Sequence, residues 1–164
     1  ETITIAYGHG LAVAPLQFAA TAAMLVNGGL FVAPTFRMSS PETARPVQRI
    51  VSPETSAAIR DLMRSNVVSP HGTGRRADVP GYEVGGKTGT AELPGRGGYI
   101  EHSVIASFVA AFPMSAPKYL VLVMLHEPKP TDDTGGRITA GVNAAPVAGS
   151  IIARTAPLLG VLPK

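Results

Sequence analysis

Hydrophobic and polar positions divide the chain into a helical first half and a β-rich second half. In the first half, apolar residues recur at helical spacing from Ala14 to Asn27 and again after Ser52-Pro53-Glu54. In the second half, Ser103 to Phe112 and Tyr119 to His126 are runs rich in Val, Phe and Leu, about as long as buried strands. Tyr82 to Ala91 is a further strand candidate, so the pattern predicts two helices, three strands and a closing helix.

The first two predicted helices carry sequence signals at their ends. Pro15 is typical of a first helical turn, and Gly28-Gly29 predicts the C-terminal stop of the same helix. Ser52 is a favoured N-cap, and Glu54 places negative charge where the helix dipole stabilises it. Because the first helix is apolar almost all round, we expect it to be largely buried.

The remaining segments are predicted as loops, short extended pieces and the closing helix. They are an extended lead-in or strand at Thr2 to Tyr7, a turn at Gly8-His9-Gly10, an extended piece at Phe31 to Arg37, loops at Ser39 to Pro46 and Lys129 to Asn143, a Gly-rich turn at Leu93 to Gly98, and the helix at Ala144 to Leu159. Short links between the candidate strands favour antiparallel pairing. Helices kept apart from an antiparallel sheet predict an α+β fold, with helices packed on the faces of the sheet.

Composition and charge exclude several classes of protein. Of the 164 residues, 45% are hydrophobic and 15% are charged, which indicates a packed domain and not a disordered chain. The net charge is +3, but the arginines are scattered and form no basic stripe, which argues against nucleic-acid binding. Cysteine is absent and the histidines (His9, His71, His102 and His126) lack metal-ligand spacing, so we expect neither a metal nor another cofactor.

The chain has the features of a piece cut from a longer protein. It starts at Glu1, without an initiator Met or a signal peptide, and no run of about 18 apolar residues predicts a membrane span. We therefore expect residues 1–164 to be part of one domain. Arg75-Arg76 and Asp132-Asp133 are interpreted as solvated surface pairs, with a position near a site entrance as the alternative for the arginines.

One segment carries a motif with two chemical interpretations. Gly81 to Thr88 matches the phosphate-loop pattern G-x-x-x-x-G-K-[ST], which requires a buried strand before the loop and a helix from the lysine onward. Arg75 to Pro80 is a poor buried strand, and Pro94 with its neighbouring glycines opposes a helix, so both flanks argue against this site. If the segment is a strand, Lys87 and Gly89 face one way and Thr88 and Thr90 face the other.

As a strand, the segment is suited to holding a peptide ligand. Small residues let a substrate backbone approach and pair along the edge, while Lys87 supplies positive charge and the hydroxyl groups supply donors for a carboxylate. Under this interpretation, we expect the segment to form one wall of an acyl-transfer site. The alternative is that Lys87 is a solvated edge lysine that discourages aggregation.

The order of motifs along the chain resembles the class B penicillin-binding proteins, and the cell-division type most of all. The matching stretches are Tyr7 to Ala19, Asn27-Gly28-Gly29, His71-Gly72-Thr73-Gly74, Val79-Pro80-Gly81-Tyr82, Gly85 to Ala91, Ser107-Phe108-Val109, Glu127-Pro128 and Ala144-Ala145-Pro146-Val147. They cover nearly the whole chain in sequence order. The resemblance implies a five-stranded antiparallel sheet with helices on both faces, of which this chain supplies the C-terminal three strands and their flanking helices.

The same resemblance implies a function and a role for each motif residue. The protein would be a peptidoglycan D,D-transpeptidase that cross-links stem peptides through a serine acyl-enzyme and binds β-lactams. Lys87 would assist proton transfer and orient the serine of the family's second motif. Thr88, Gly89 and Thr90 would form the substrate-binding edge, with the two threonines on the terminal carboxylate. The backbone N–H of Thr90 would be one oxyanion donor.

The chain departs from the family pattern in two places. The nucleophile motif S-x-x-K does not occur at a helix start and S-x-N is absent, so we expect both in an upstream half of the same domain. Thr134 stands before Gly135-Gly136 where many relatives carry an aromatic residue. We further expect that this chain alone is not acylated and that it exposes an apolar face, which a partner segment covers.

The resemblance also implies a cellular setting and leaves two alternatives open. The complete protein would face the periplasm from the bacterial inner membrane, through an N-terminal anchor outside this chain, and would meet other division proteins. One alternative is a β-lactam-sensing or catalytically inactive module that keeps the pocket without turnover. The weaker alternative is the nucleotide-binding protein considered above.

Overall fold

The computed structural model describes residues 11–38, 47–95 and 98–164. Its helices are α1 (Pro15–Val26), α2 (Pro53–Val68) and α3 (Ala144–Thr155), and its strands are β1 (Leu30–Val32), β2 (Val47–Arg49), β3 (Gly85–Gly95), β4 (Gly98–Phe112) and β5 (Tyr119–His126). Short 3-10 turns lie at Arg75–Ala77 and Asp132–Thr134. The predictions for Thr2 to Tyr7, Gly8-His9-Gly10 and Ser39 to Pro46 lie outside the described residues.

The main sheet has the antiparallel order β3-β4-β5, which confirms the predicted pairing and the α+β class. Lys87 is opposite Val109 and Thr90 is opposite Ala106, so the motif segment runs as regular strand. Because β3 is at the end of the strand order, one of its edges pairs with no strand of the described residues.

The two faces of β4 are covered by different helices. Ala106, Phe108 and Phe112 are fully buried and belong to one core cluster with the inward residues of α3. Ala111 faces the opposite way and joins a smaller cluster with Val26 at the end of α1. This alternation places the sheet between α3 on one side and the α1–α2 pair on the other.

A buried serine fastens α2 to the end of α1. Ser56 is 0% exposed, and its hydroxyl donates to the carbonyl of Leu25 at 2.7 Å while accepting from the N–H of Gly28 at 2.9 Å. The predicted caps are confirmed: Ser52 accepts a hydrogen bond from the N–H of Thr55, and α1 ends at Val26 with Asn27 as its C-cap, directly before Gly28-Gly29. Gly29 is required after it, because its φ is +86° and a Cβ there would overlap the Val51 carbonyl.

The expectation that α1 is largely buried is wrong. Ala22, Met24 and Val26 are buried, but Leu16 and Phe18 are 47% and 41% exposed. Only one side of the helix packs on α2 and the sheet, so the apolar residues on its other side stay uncovered. The expected apolar surface is therefore present, and it extends to Leu62 on α2, which is 71% exposed.

Several element ends differ from the predicted ones. β3 begins at Gly85 and not at Tyr82, it continues to Gly95, and β4 begins at Gly98, so the Gly-rich turn is shorter than expected and the hairpin is longer. The closing helix ends at Thr155, before Pro157, and not at Leu159. Of the segment expected to be extended, only Phe31 and Val32 lie in a strand, β1, which pairs with the unpredicted β2.

Within the described part of the chain, no helix combines the length and the apolar character needed to cross a bilayer. The same residues contain no group of three or more His, Asp or Glu side chains arranged to hold a metal ion.

Candidate active site along the free edge of β3

Strand alternation separates the motif side chains into two sites. Thr88 and Thr90 line a pocket of about 660 Å³, together with residues of the Arg75–Ala77 turn and of the loop before α3. Lys87 lines an apolar groove of about 560 Å³ on the other side, between α1, α2 and Val109. This is the division that the two-residue period predicts.

The hydroxyl of Thr88 belongs to a hydrogen-bonded chain that ends on α2. Its Oγ1 is 2.8 Å from Oγ1 of Thr73, which donates in turn to Oδ1 of Asn66 at 3.0 Å. The amide of Asn66 also accepts from the Thr73 N–H at 3.1 Å and donates to the Gly86 carbonyl at 2.8 Å. Because the Thr73 hydroxyl donates its proton to Asn66, the Thr88 hydroxyl is the donor to Thr73. The Thr88 hydroxyl can also rotate and donate its own proton to a ligand.

The hydroxyl of Thr90 is oriented from the opposite side of the pocket. Its Oγ1 accepts a hydrogen bond from the backbone N–H of Ala140 at 3.1 Å. Because a hydroxyl carries one donor and two lone pairs, this contact leaves the Thr90 proton free for an anionic ligand. Two hydroxyl groups on the same side of one strand therefore present donors to the pocket.

Backbone direction places the N–H of Thr90 on the open edge of β3. In an antiparallel strand the N–H and C=O of one residue point the same way, and the direction alternates from residue to residue. The carbonyls of Gly86 and Thr88 point to the open edge, since they accept from Asn66 on α2 and from Lys87 Nζ. Thr90 is two residues beyond Thr88 on the same strand, so its N–H also points to the open edge.

Lys87 is held against the strand that carries it. Its Nζ donates to the Thr88 carbonyl at 2.8 Å, and its side chain is exposed at the border of the apolar groove. No helix begins at Lys87, because β3 runs from Gly85 to Gly95. The strand interpretation is confirmed and the phosphate-loop interpretation is wrong, since a phosphate loop requires a helix N-terminus at this point.

The pocket contains three cationic residues. Arg75 and Arg76 are exposed, as the interpretation of a surface pair predicts. They also line the pocket of Thr88 and Thr90, as does Arg137. Asp132-Asp133 is exposed in its 3-10 turn, as expected.

The sequence reasoning missed the residues that position the threonines. Thr73 lies in a loop and contacts Thr88, and Asn66 lies on α2 and contacts Thr73. These contacts form only in the folded chain. The available signal was the run His71-Gly72-Thr73-Gly74, where a polar residue is flanked by glycines. Gly141 packs against it, because a Cβ at Gly141 would be 2.6 Å from the Thr73 carbonyl oxygen.

The single S-x-x-K of the sequence does not lie at this site. It is Ser115 to Lys118, in the turn between β4 and β5. The Ser115 hydroxyl is hydrogen-bonded to the Glu83 carboxylate and to Nζ of Lys164, the latter at 2.8 Å. Hydrogen bonds to the Glu83 carboxylate from Ser115 and from Nζ of Lys164 lower the pKa of Glu83, and the Ser115 hydroxyl has the largest effect. The cluster ties the last residue to the turn before β3 and has no place in the pocket.

Comparison with known proteins agrees with this geometry. Residues 1–152 match the family model described as the penicillin-binding protein transpeptidase domain. A probable peptidoglycan D,D-transpeptidase FtsI of Caulobacter vibrioides is 42% identical over 96% of this chain and 28% of its own length. The stage V sporulation protein D of Bacillus subtilis is 38% identical over 100% of this chain and 26% of its own length.

Solved structures show the same fold. The transpeptidase domain of Burkholderia pseudomallei penicillin-binding protein 3 matches with a TM-score of 0.86 and 35% identity, over 98% of this chain and 47% of that one. Penicillin-binding protein 3 of Mycobacterium tuberculosis in complex with ampicillin matches with a TM-score of 0.77 and 28% identity, over 96% and 37%. This chain thus spans under a third of the first curated relatives and about half of a solved transpeptidase domain. It belongs to the penicillin-binding protein transpeptidase family.

Proposed function

We propose that this chain supplies the carboxylate-binding wall of a peptidoglycan D,D-transpeptidase that acts through a serine acyl-enzyme. The observation that carries the proposal is the open edge of β3. There, two threonine hydroxyls and the outward N–H of Thr90 lie beside one pocket. A stem peptide lying along this edge would pair as an added strand, and Thr88 and Thr90 would hold its terminal carboxylate.

Each motif residue has a distinct part in the proposed reaction. A serine attacks the carbonyl carbon of the penultimate residue, and the outward N–H of Thr90 is one donor to the oxyanion that forms. Removal of one such donor typically costs about 100- to 1,000-fold in rate. The terminal residue leaves, and the amine of a second stem peptide then takes the acyl group. Lys87, on the other side of the strand, would orient the second-motif serine and assist proton transfer.

The nucleophile is proposed to come from the rest of the same domain. The solved Burkholderia transpeptidase domain is about twice as long as this chain. The apolar groove beside Lys87 is suited to receiving that part, because it is lined by Phe18, Leu25, Ile59, Leu62 and Met63 and opens to solvent. Burial of such a surface inside the complete domain stabilises the fold by about 25 cal/mol per Å².

The cellular setting follows from the same proposal. The relatives are named for peptidoglycan transpeptidation and for sporulation. We infer that the complete protein works on peptidoglycan at the periplasmic face of the inner membrane, among other division proteins. β-Lactams would enter the same site, a proposal supported by the ampicillin complex of the Mycobacterium tuberculosis protein.

Labelling with a fluorescent penicillin tests the proposal. The complete protein is expected to take up one covalent label, and excess unlabelled β-lactam is expected to prevent it. Residues 1–164 produced alone are expected to take none, because the nucleophile is elsewhere. Folded complete protein that stays unlabelled contradicts the assignment. Label without transfer of a stem peptide to an acceptor amine would identify the sensing or inactive module instead.

A further inference from the structure

The orientation of the Thr90 hydroxyl is set by a backbone N–H from a distant loop. That N–H belongs to Ala140, which lies 50 residues beyond Thr90 in the loop before α3, and the bond is 3.1 Å long. Because it fixes the threonine oxygen as an acceptor, the Thr90 proton stays available to a ligand carboxylate. A shift of this loop away from β3 would release the hydroxyl, so the position of the loop is part of the site.

Arg76 ties this loop to the opposite wall of the pocket. Its Nη1 donates to the carbonyl of Val142, just after Ala140 in the chain, at 3.3 Å. The same Nη1 donates to the carbonyl of Asp133, which precedes the loop, at 3.2 Å. One planar guanidinium therefore holds the chain on both sides of the residue that orients Thr90.

The turn that carries Arg76 is anchored in the core. Ala77 is 0% exposed and belongs to the same core cluster as the inward residues of α3. A Cβ at Gly149 on α3 would lie 3.2 Å from the Cα of Ala77, so the turn packs closely on that helix. Arg76 thus reaches the loop from a fixed base, and its bonds restrict the loop and not the turn.

From these contacts we infer that Arg76 is a positioning residue of the acyl-transfer site. It holds the loop before α3 in the place where the Ala140 N–H keeps the Thr90 hydroxyl turned toward the ligand carboxylate. The inference rests on the proposed function and adds a residue that acts on the ligand through Thr90.

Arg75 is the matched control for Arg76. Both arginines are exposed and line the same pocket, so replacement of either by methionine removes one positive charge and keeps an aliphatic stem. Arg75 donates to the Pro70 carbonyl at 2.8 Å and, among the described residues, to none of the loop before α3. A difference between Arg76→Met and Arg75→Met therefore measures the tether to the loop and not the charge.

A pair of thioesters measures the effect on carboxylate binding in the complete protein. N-Acyl-D-alanyl thioglycolate and N-acyl-D-alanyl thioglycolamide differ only in the carboxylate or carboxamide on the leaving thiol. In both, the serine oxygen attacks the thioester carbonyl, the C–S bond breaks, and the sulfur leaves with the serine proton as a thiol that a colorimetric reagent detects. The quantity compared is the ratio of kcat/KM for the carboxylate over the carboxamide.

The wild-type ratio is expected to be at least about ten, the lower end for a hydrogen bond to a charged group. Folded Arg76→Met should lower the ratio about 5-fold, the size of one ordinary hydrogen bond, while the carboxamide is turned over nearly as in wild type. Arg75→Met should change the ratio by less than about 2-fold, because the charge it removes is exposed. In a Thr90→Val background, Arg76→Met should cause no further change, since the hydroxyl through which Arg76 acts is gone.

The outcomes separate the positioning role from the proposed function. A ratio that Arg76→Met leaves unchanged, or that Arg75→Met lowers equally, would overturn the role of Arg76 and leave the transpeptidase assignment standing. An equal loss with both thioesters, or a further loss of the ratio in the Thr90→Val background, would show that Arg76 does not act through Thr90 and would also overturn the role. Failure of the folded wild type to release thiol from either thioester would overturn the assignment and the role with it.

Discussion

Gly86→Ala tests whether the packing between β3 and β4 requires a glycine at position 86. A Cβ at Gly86 would lie 2.6 Å from the Val109 carbonyl oxygen and 2.7 Å from Cε1 of Phe108. Phe108 is 0% exposed and Val109 is paired in the centre of the sheet, so neither neighbour can move freely. Overpacking of this kind costs about 1–3 kcal/mol.

Equilibrium unfolding of the transpeptidase domain in urea measures that cost. With a slope of about 2 kcal/mol per M, the midpoint of Gly86→Ala is expected to fall by about 0.5–1.5 M at unchanged slope. Gly89→Ala on the same strand is the matched control. Its Cβ would meet only the Oγ of Ser107, at 2.7 Å, and that hydroxyl can rotate away. The control should change stability by less than about 0.5 kcal/mol. Equal midpoints for Gly86→Ala and wild type would refute the packing explanation.

Three further predictions concern hydrogen bonds of the described residues. Ser56→Ala should lower the free energy of unfolding by about 1–3 kcal/mol, because two part-buried backbone groups lose their partner; urea titration checks this against Ser65→Ala, an exposed position on the same helix. Thr73→Val should slow acylation by penicillin about 2- to 12-fold, from a loss of about 0.5–1.5 kcal/mol. Thr73→Ser keeps the hydroxyl and should react at the wild-type rate in the same stopped-flow assay. The pKa of Glu83 is lowered, chiefly by the Ser115 hydroxyl, so its contribution to stability is complete above the unfolded value and is lost as the pH falls through the folded one. Urea midpoints from neutral pH to below about pH 4 should therefore decline more for wild type than for Glu83→Gln; parallel curves would contradict this.

Sequence patterns predicted the sheet because local composition decides its strands. The second half of β4 and nearly all of β5 are rich in apolar residues, and β5 was predicted with its observed ends, Tyr119 and His126. β2 was missed because Val47–Arg49 has only three residues and all are exposed, so its sequence shows no alternation of apolar and polar residues. The burial of α1 was predicted wrongly for a different reason. The helix is apolar on all sides, so its sequence does not show which side packs on the rest of the chain.

The sequence predicted the motif residues of the site but not their hydrogen-bond partners. Lys87, Thr88 and Thr90 are neighbours in sequence, and strand geometry alone separates the lysine from the threonines. The partners of those threonines come from far along the chain: Thr73 is 15 residues from Thr88, and Ala140 is 50 residues from Thr90. Such contacts depend on the packing of α2 and the loop before α3 around β3, which no local pattern records.

The rate constant for acylation by benzylpenicillin, measured on the complete protein and on Thr90→Val, tests the central claim most directly. If the Thr90 hydroxyl donates to the ligand carboxylate, its loss removes a hydrogen bond to a charged group, worth about 1.5–3 kcal/mol. The variant should then react about 10- to 150-fold more slowly, and its unfolding midpoint should fall by no more than about 1.5 M, because the Ala140 N–H loses its acceptor. A folded variant that is acylated as fast as wild type would contradict the claim that this edge of β3 holds the substrate carboxylate.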